Sequence, residues 1–400
     1  MIKSKFNIIS QNIIFNTKTF AKLKLDDQHL KNFKLGLIYK FNENEIKILY
    51  ENGFLVDSNE IELEEIITKL KIREENELRL IIFPTIDCNF RCLYCYEEKK
   101  HINLDLEYYS KIIDLIDNFK GNNIFISWFG GEPSLKSKEI ISFLKLVNDK
   151  CSEKKKNLIS SMTTNFSMID LKTLTNFVNS GIKYYQVTLD GTKEIHDKYR
   201  PLLNGLGSFD RVYNNLLEAL NSNLDFEITI RLNFDNKTDY LDFFKMMIPF
   251  SKDNRFSFEL HPICNFDNIE RDYTCTNVEA KEREKEIISI MNSLNIKYNE
   301  NSIFSKYMPC YACMKNNYII DECGNIKKCT IHLNDERNNL GNLDNFEKID
   351  DSNWINYKFK ECQECEVFPL CLGKMCKYDK LDTFEKCRAE RVEEIEQEIK

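Results

Sequence analysis

Apolar positions between Arg79 and Cys264 follow two different periods. Short apolar runs predict strands over Arg79–Thr85, Asn123–Phe129, Leu158–Thr164, Tyr184–Leu189, Phe226–Phe234 and Phe256–Ile263. Between them, apolar residues at three- and four-residue spacing predict helices over Tyr108–Phe119, Ile140–Val147, Leu171–Val178, Val212–Leu220 and Tyr240–Met247. Six strand-then-helix units predict an α/β fold whose parallel sheet has right-handed crossovers, either as a barrel or as an open wound sheet.

Residues 1–78 follow another pattern. The β-prone stretches Phe6–Phe15 and Phe20–Leu25 precede helical patterns over Glu43–Tyr50 and Glu60–Leu70, which predicts a small winged-helix-like module. Its first forty residues contain eight Lys and two Asp, so positive charge is concentrated at the start of the chain.

The chain has 400 residues, where an ordinary domain has about 150. We predict three domains: the module at 1–78, the β/α repeats at 79–299, and a cysteine-rich region of little periodicity at 300–400 that ends in a charged helix over Thr383–Lys400. Nine of the cysteines lie in the last of these.

Charge and hydropathy exclude several classes of partner. With 56 basic and 64 acidic residues the net charge is −8, which argues against binding nucleic acid by neutralising phosphates. No run of about 18 apolar residues could span a bilayer, and the first residues lack the apolar stretch of a signal peptide. We therefore expect a cytoplasmic protein that binds neither a membrane nor nucleic acid.

Cysteine is the unusual component of the composition. The chain has 15 Cys but only 5 His, and thiols in a reducing compartment are more often metal ligands than disulfides. The first predicted strand leads into Cys88, Cys92 and Cys95, spaced C-x3-C-x2-C. Three thiolates on one loop can hold three corners of a cubane iron-sulfur cluster and leave one iron open to an external ligand. The alternative is a zinc site completed by a cysteine from elsewhere.

The ends of the other predicted strands carry polar residues or glycine. They read Gly130-Gly131-Glu132-Pro133, Thr163-Thr164-Asn165, Thr188-Leu189-Asp190-Gly191, Arg231-Leu232-Asn233 and His261-Pro262. The active site of a parallel β/α barrel lies at this end of its strands. Two of only twelve glycines fall together there, which indicates backbone that approaches a ligand closely.

These motifs resemble the radical S-adenosylmethionine (SAM) enzymes, and within them the peptide-maturing group that has a C-terminal SPASM domain. The resemblance covers about residues 79–390 and implies a partial (β/α)6 TIM-like barrel. It implies that Cys88, Cys92 and Cys95 bind a [4Fe-4S] cluster that chelates SAM, with Tyr94 beside the adenine. The remaining SAM-binding positions it implies are Gly130, Gly131 and Glu132 for the amino group and Asn165 and Thr188 for the carboxylate and ribose. His196 matches a family position, either as a structural or as a catalytic residue.

The C-terminal cysteines resemble the SPASM pattern, with one extra residue between Cys371 and Cys376. Eight thiols suffice for two fully ligated [4Fe-4S] clusters, and a pair of zinc ribbons is the alternative. The family's crossed pairing implies Cys310, Cys313, Cys329 and Cys376 for the first auxiliary cluster, with Cys323 as a substitute for Cys310. It implies Cys362, Cys365, Cys371 and Cys387 for the second. The remaining thiols are Cys151, Cys264 and Cys275. We expect Cys151 to be inert, and Cys264 to be a buried free thiol, with contact to the substrate as the alternative.

The resemblance implies reductive cleavage of SAM to a 5′-deoxyadenosyl radical that oxidatively modifies a ribosomally made peptide. We expect a thioether or carbon-carbon crosslink, a precursor peptide whose leader binds the N-terminal module, and a low-potential electron donor of flavodoxin or ferredoxin type. Formylglycine formation, as in anaerobic sulfatase maturases, is an alternative that Thr330 disfavours, because those relatives have Asp at that position. A non-enzymatic zinc-thiolate scaffold that binds peptides is the alternative of another class.

Overall fold

A computed structural model describes residues 1–264, 271–298, 307–378 and 383–399. In chain order its strands are β1 Ile2–Lys3, β2 Asn7–Ser10, β3 Ile13–Asn16, β4 Lys22–Lys24, β5 Leu55–Val56, β6 Glu77–Ile82, β7 Asn123–Trp128, β8 Asn157–Thr164, β9 Ile182–Thr188, β10 Glu227–Phe234, β11 Phe256–Pro262, β12 Asn317–Ile320, β13 Asn325–Lys327 and β14 Asn339–Asn342. Its α-helices are α1 Asp27–Lys34, α2 Glu43–Glu51, α3 Asn59–Asn76, α4 Leu106–Asn118, α5 Ser137–Glu153, α6 Leu171–Asn179, α7 Lys193–Tyr199, α8 Phe209–Leu220, α9 Leu241–Ser251, α10 Asn277–Ser293, α11 Ser352–Ile355, α12 Phe368–Cys371 and α13 Phe384–Glu398.

The described residues form two compact units. The first comprises those of 1–75, 299–316 and 350–400, and the second comprises those of 76–298 and 317–349. The three domains expected from the sequence stay a prediction. None of the helices in the described ranges is both long and apolar enough to cross a membrane.

The second unit is built on a parallel sheet. Strands β6 to β11 lie side by side in chain order, and each pairs in parallel with the next. Because β11 and β14 are the edges of the sheet that the described residues form, that sheet does not close into a full barrel. The six predicted strands and the five predicted helices of this region are confirmed, with ends that shift by up to six residues.

The two faces of this sheet differ in chemistry. Alternate residues such as Ile124, Ile126 and Trp128 are fully buried under the helices, and they form the main apolar core. The intervening positions are half-buried and partly polar; among them Ser127 and Ser161 share a hydrogen bond of 2.9 Å across neighbouring strands. The concave face is therefore lined with groups that can bind a polar ligand rather than filled with aliphatic side chains.

Three short strands after α10 extend this sheet and were not predicted. β12 pairs in parallel with β6, and β13 and β14 follow it in antiparallel order. Residues 317–349, which the sequence assigned to the cysteine-rich region, thus continue the main sheet.

The first unit contains the N-terminal module. Strands β2, β3 and β4 form an antiparallel sheet, and α2 and α3 confirm the two predicted helices. One face of the sheet, with Ile14 at its centre, packs on α1 and α2. The other face presents Ile8 and Phe15 to a core that also contains Cys365 and α13. The winged-helix arrangement stays a prediction. Helix α13 confirms the predicted charged helix, whose last residue, Lys400, lies outside the described residues.

Candidate active site

The predicted cysteine triplet lies on the loop that follows β6. Its thiols differ in exposure, since Cys88 is buried, Cys92 is half-buried and Cys95 is exposed. The loop is fastened to the segment after α7, where the backbone N–H of Arg91 donates to the Pro201 carbonyl over 2.8 Å. Three thiols of graded exposure on a fastened loop suit a cluster that is buried on one side and open on the other.

The two glycines after β7 pack directly against the cysteine loop. The Gly131 N–H donates to the Thr85 carbonyl over 3.0 Å, and the Glu132 N–H donates to the Asp87 carbonyl over 2.8 Å. A Cβ atom on Gly131 would lie 1.9 Å from that Asp87 oxygen, and Gly130 has a positive φ of 101°. The sequence argument expected glycine so that backbone could approach a ligand. The close approach in the structure is instead to the backbone of the cysteine loop, which these residues hold in place.

Glu132 is buried and joins two strand ends. Its carboxylate accepts hydrogen bonds from the Ser134 N–H at 3.0 Å, the Thr164 hydroxyl at 2.6 Å and the Asn165 N–H at 2.7 Å. A carboxylate has about four acceptor positions, so one stays available for a ligand ammonium.

Asn165 and Thr188 differ in whether their side chains already have hydrogen-bond partners in the protein. The Asn165 amide donates to Asn89 over 2.8 Å and lies 3.9 Å from the Cys88 sulfur, which ties the end of β8 to the cysteine loop. Thr188, at the end of β9, is buried, and within the described part of the chain its hydroxyl has no hydrogen-bond partner. That hydroxyl is therefore free to bind a ligand.

Tyr94 belongs to a buried polar network that sequence reasoning missed. Its hydroxyl donates to Asp190 and accepts hydrogen bonds from Arg200 at 2.8 Å and from Asn233 at 3.0 Å. Burial raises the pKa of Asp190, while the charge of Arg200 opposes the rise. The hydroxyl is thus committed to the protein, and only the ring face of Tyr94 could contact an adenine.

His196 is a structural residue. Its Nδ1 accepts from the Asp190 backbone N–H at 3.1 Å, so its Nε2 carries the proton and donates to Ser208 at 3.1 Å. The side chain is fully buried, and burial, followed by the charge of Arg200, lowers the pKa of the ring well below its usual value. A neutral histidine with both nitrogens occupied positions the turn that follows β9 and has no part left for proton transfer.

Two thiols of the triplet, Cys88 and Cys92, are protonated when nothing is bound. Burial and, after it, the charge of Glu132 raise the pKa of Cys88 to about 12, and the ammonium of Lys99 opposes both. Burial also raises the pKa of Cys92. Binding of a metal would therefore have to displace these protons. Throughout the described ranges, no three His, Cys, Asp or Glu side chains are arranged to hold a single metal ion.

Two further groups of thiols lie in the first unit. Cys362, Cys365, Cys371 and Cys387 form one group: burial, together with the charges of the other three thiols, raises the pKa of Cys371 to about 12. In the second group the Cys310 thiol shares hydrogen bonds with Cys313 and Cys376.

The remaining cysteines are placed as follows. Cys329 is buried after β13 in the second unit, where its N–H donates to Asn338 over 2.8 Å. Cys323 is exposed in the turn before β13, and the choice between Cys310 and Cys323 as a ligand stays a prediction. Cys151 and Cys275 are buried and Cys264 is half-buried.

Residues 82–245, which contain the triplet, both glycines, Asn165 and Thr188, match the family described as the Radical SAM superfamily. The chain carries a radical SAM domain. It is similar to the cysteine-type anaerobic sulfatase-maturating enzyme of Clostridium novyi, with 25% identity over 74% of this chain and 86% of that protein. A protein of Methanocaldococcus jannaschii named MJ0907 is 30% identical over 43% of this chain and 58% of its own length.

Solved structures share the radical SAM fold over most of the chain. The structure described as native anSMEcpe with bound AdoMet matches with a TM-score of 0.61 at 16% identity, covering 80% of this chain and 98% of that one. Streptococcus suis SuiB bound to its precursor peptide SuiA matches with a TM-score of 0.51 at 16% identity, covering 93% and 94%. At this identity the likeness establishes the fold alone.

The network around Tyr94 could have been found in part from the sequence. Asp190 and Asn233 both belong to the polar strand ends that the sequence analysis identified. Arg200 follows α7, the helix that comes after Asp190 in the chain. What the sequence does not show is that these three side chains all bond to the hydroxyl of Tyr94 on the cysteine loop.

Proposed function

We propose that this radical SAM enzyme oxidatively modifies a ribosomally made peptide, forming a thioether or carbon-carbon crosslink. The observation that supports its SAM chemistry best is the contact between the cysteine loop and Gly131, which holds three thiols at one end of a parallel sheet. Thr188, whose hydroxyl has no partner among the described residues, ends a strand of the same sheet. This donor set fits a [4Fe-4S] cluster with one iron free of protein ligands.

Each residue of the site is assigned one part of the cluster or of SAM. Cys88, Cys92 and Cys95 would hold the cluster, and Glu132 with the backbone of Gly130 and Gly131 would take the amino group of SAM. Asn165 and Thr188 would take its carboxylate and ribose, and the ring of Tyr94 would lie against its adenine. When bound, the cluster supplies the electron that splits SAM into methionine and a 5′-deoxyadenosyl radical, which abstracts a hydrogen atom from the substrate. The concave face of the sheet would keep water from that reaction.

The proposal is tested by anaerobic reconstitution. We expect about twelve irons per chain, three cubanes, and formation of 5′-deoxyadenosine with a reductant. Replacing Cys88, Cys92 and Cys95 together by Ala should leave about eight irons and abolish cleavage of SAM. Cleavage that survives this replacement would refute the assignment of the triplet, and retention of about four irons by the unchanged protein would refute both auxiliary clusters.

A peptide substrate is supported by the open edge of the N-terminal sheet. In the part of the chain that is described, β4 pairs with β3 alone, so its other edge can accept an extended leader as a further strand. A cavity of about 240 Å³ lies beside it, lined by apolar residues such as Leu23, Phe41 and Ile48. Lys22 and Lys24 lie on this open strand itself, and both could attract an acidic leader.

Sulfatase maturation is the second candidate, because relatives along most of the chain carry that name. Thr330, after Cys329, disfavours it. The test is to supply a sulfatase peptide with Cys or Ser at its target position and to measure the mass of the product. A mass loss in that peptide would show formylglycine formation. An unchanged mass would leave the crosslink in the native precursor as the proposed reaction. The non-enzymatic scaffold is set aside, because the radical SAM domain identifies an enzyme. The electron donor, of flavodoxin or ferredoxin type, and a cytoplasmic location belong to the proposal as well.

A further inference from the structure

A buried ion pair follows the cysteine triplet. Lys99 Nζ lies 2.6 Å from Glu97 Oε2, and their side chains are only 12% and 5% exposed. The next pair along the chain, Glu98 with Lys100, has the same chemistry at 3.0 Å, but these side chains are 67% and 52% exposed. Burying two charges costs desolvation free energy that an exposed ion pair does not lose. A gain in stability alone therefore does not explain why the first pair is buried.

The buried pair faces the thiols. The Glu97 carbonyl lies 3.9 Å from the Cys95 sulfur, and the Lys99 ammonium is near enough to Cys88 and Cys95 for its charge to act on both. Glu97 uses only one carboxylate oxygen, because its buried Oε1 has no partner among the described residues. Lys99 likewise has Glu97 as its one hydrogen-bond partner there. An ammonium held from one side by a carboxylate thus presents its charge to the metal-binding loop.

We propose that Lys99, held by Glu97, is a positioning residue that sets the reduction potential of the cluster on Cys88, Cys92 and Cys95. This inference rests on the proposed function. A cluster ligated by thiolates gains negative charge when it accepts an electron, so a nearby cation favours the reduced form and a nearby anion disfavours it. Lys99 and Glu97 therefore act with opposite signs, and the potential reflects their balance.

The test is a redox titration of the whole reconstituted enzyme with dithionite, in which EPR follows the cluster signal that SAM perturbs. At fixed ambient potential, we expect Lys99→Gln to lower the ratio of reduced to oxidised cluster about tenfold, which for one electron is 59 mV. We expect Glu97→Gln to raise that ratio by a similar factor. Lys99→Arg keeps the charge and should restore the original value, and Lys100→Gln, the exposed match, should leave it unchanged.

The directions in which the two variants shift the reduction potential distinguish an electrostatic effect from a disturbed fold. Unchanged potentials in both buried-pair variants, or a shift of both in the same direction, would overturn the inference, because a loosened loop cannot move them oppositely. If Lys99→Gln fails to retain the cluster, Glu97→Gln decides: a raised ratio supports the inference and an unchanged one overturns it. Absence of any signal that SAM perturbs in the unmodified enzyme would overturn the proposed function and this inference together.

Discussion

At the scale of single residues, the backbone of Gly131 and Glu132 holds the cysteine loop, because their N–H groups donate to carbonyls at its start. The cysteine spacing and the polar strand ends are local patterns, so Cys88, Gly131 and Asn165 could be placed at one end of the sheet. Their hydrogen bonds and burial depend on contacts between segments distant in sequence, and no spacing shows that Glu97 and Lys99 are buried while Glu98 and Lys100 are not. The role of His196 became clear only when both ring nitrogens had partners.

Gly131 gives the sharpest prediction at this scale. Gly131→Ala would place a Cβ atom 1.9 Å from the Asp87 carbonyl oxygen, and because backbone lies on both sides the cysteine loop has to move. We expect about four fewer irons after reconstitution and at least a tenfold slower cleavage of SAM, measured by iron analysis and by 5′-deoxyadenosine formation. Gly36→Ala is the control, because Gly36 has a φ of 71° but nothing within 4 Å of its added Cβ. Normal iron content in Gly131→Ala would show that the loop does not need this packing.

At the scale of elements, hydrophobic period identified the long strands of the parallel sheet, although it did not identify α10, a helix of 17 residues. Strands β6 to β11 have six to eight residues each, and their periodicity is visible in the sequence. Strands β12 to β14 have three or four, too few for alternation to stand out, and β14 contains Gly341. Of the three, β12 pairs with β6, which lies more than 200 residues earlier, and β13 and β14 follow β12.

The open edge of β4 leads to a prediction about substrate binding. Changing Lys22 and Lys24 together to Glu should weaken binding of a labelled acidic leader peptide by about tenfold, and lowering the salt concentration should enlarge the difference, because charges at a rim mainly change the rate of association. Fluorescence polarisation with a leader taken from a short reading frame beside the gene would measure this. Lys47→Glu, on the exposed surface of α2, is the matched control. Equal affinity in the unchanged protein, the double variant and Lys47→Glu would exclude β4 as the leader site.

At the scale of the first unit, two ends of the chain share one core. Phe6 packs with Cys362, and Ile8 and Phe15 pack with Cys365. The Thr17 hydroxyl donates to the Glu366 carbonyl over 2.6 Å, and Lys5 donates to the Gln363 carbonyl over 3.0 Å. Contacts across about 350 residues leave no periodic trace, so the sequence separated a leader-binding module from a cysteine-rich region that the structure joins.

This shared core predicts that the proposed second auxiliary cluster, on Cys362, Cys365, Cys371 and Cys387, would stabilise the N-terminal sheet. Metal binding that requires a folded set of ligands contributes its free energy to folding. Loss of the cluster should therefore lower the stability of the strands that pack on it. Replacing Cys362 and Cys365 together by Ser should therefore speed hydrogen exchange of the amides in β2 and β3, while amides of β7 and β8 in the other unit keep their protection. Replacing Cys88 and Cys92 by Ser serves as the control, because those thiols belong to the other unit, and it should leave β2 and β3 unchanged. If β2 and β3 kept full protection without Cys362 and Cys365, the aliphatic contacts of Ile8 and Phe15 would suffice to hold the sheet, and the cluster would serve electron transfer alone.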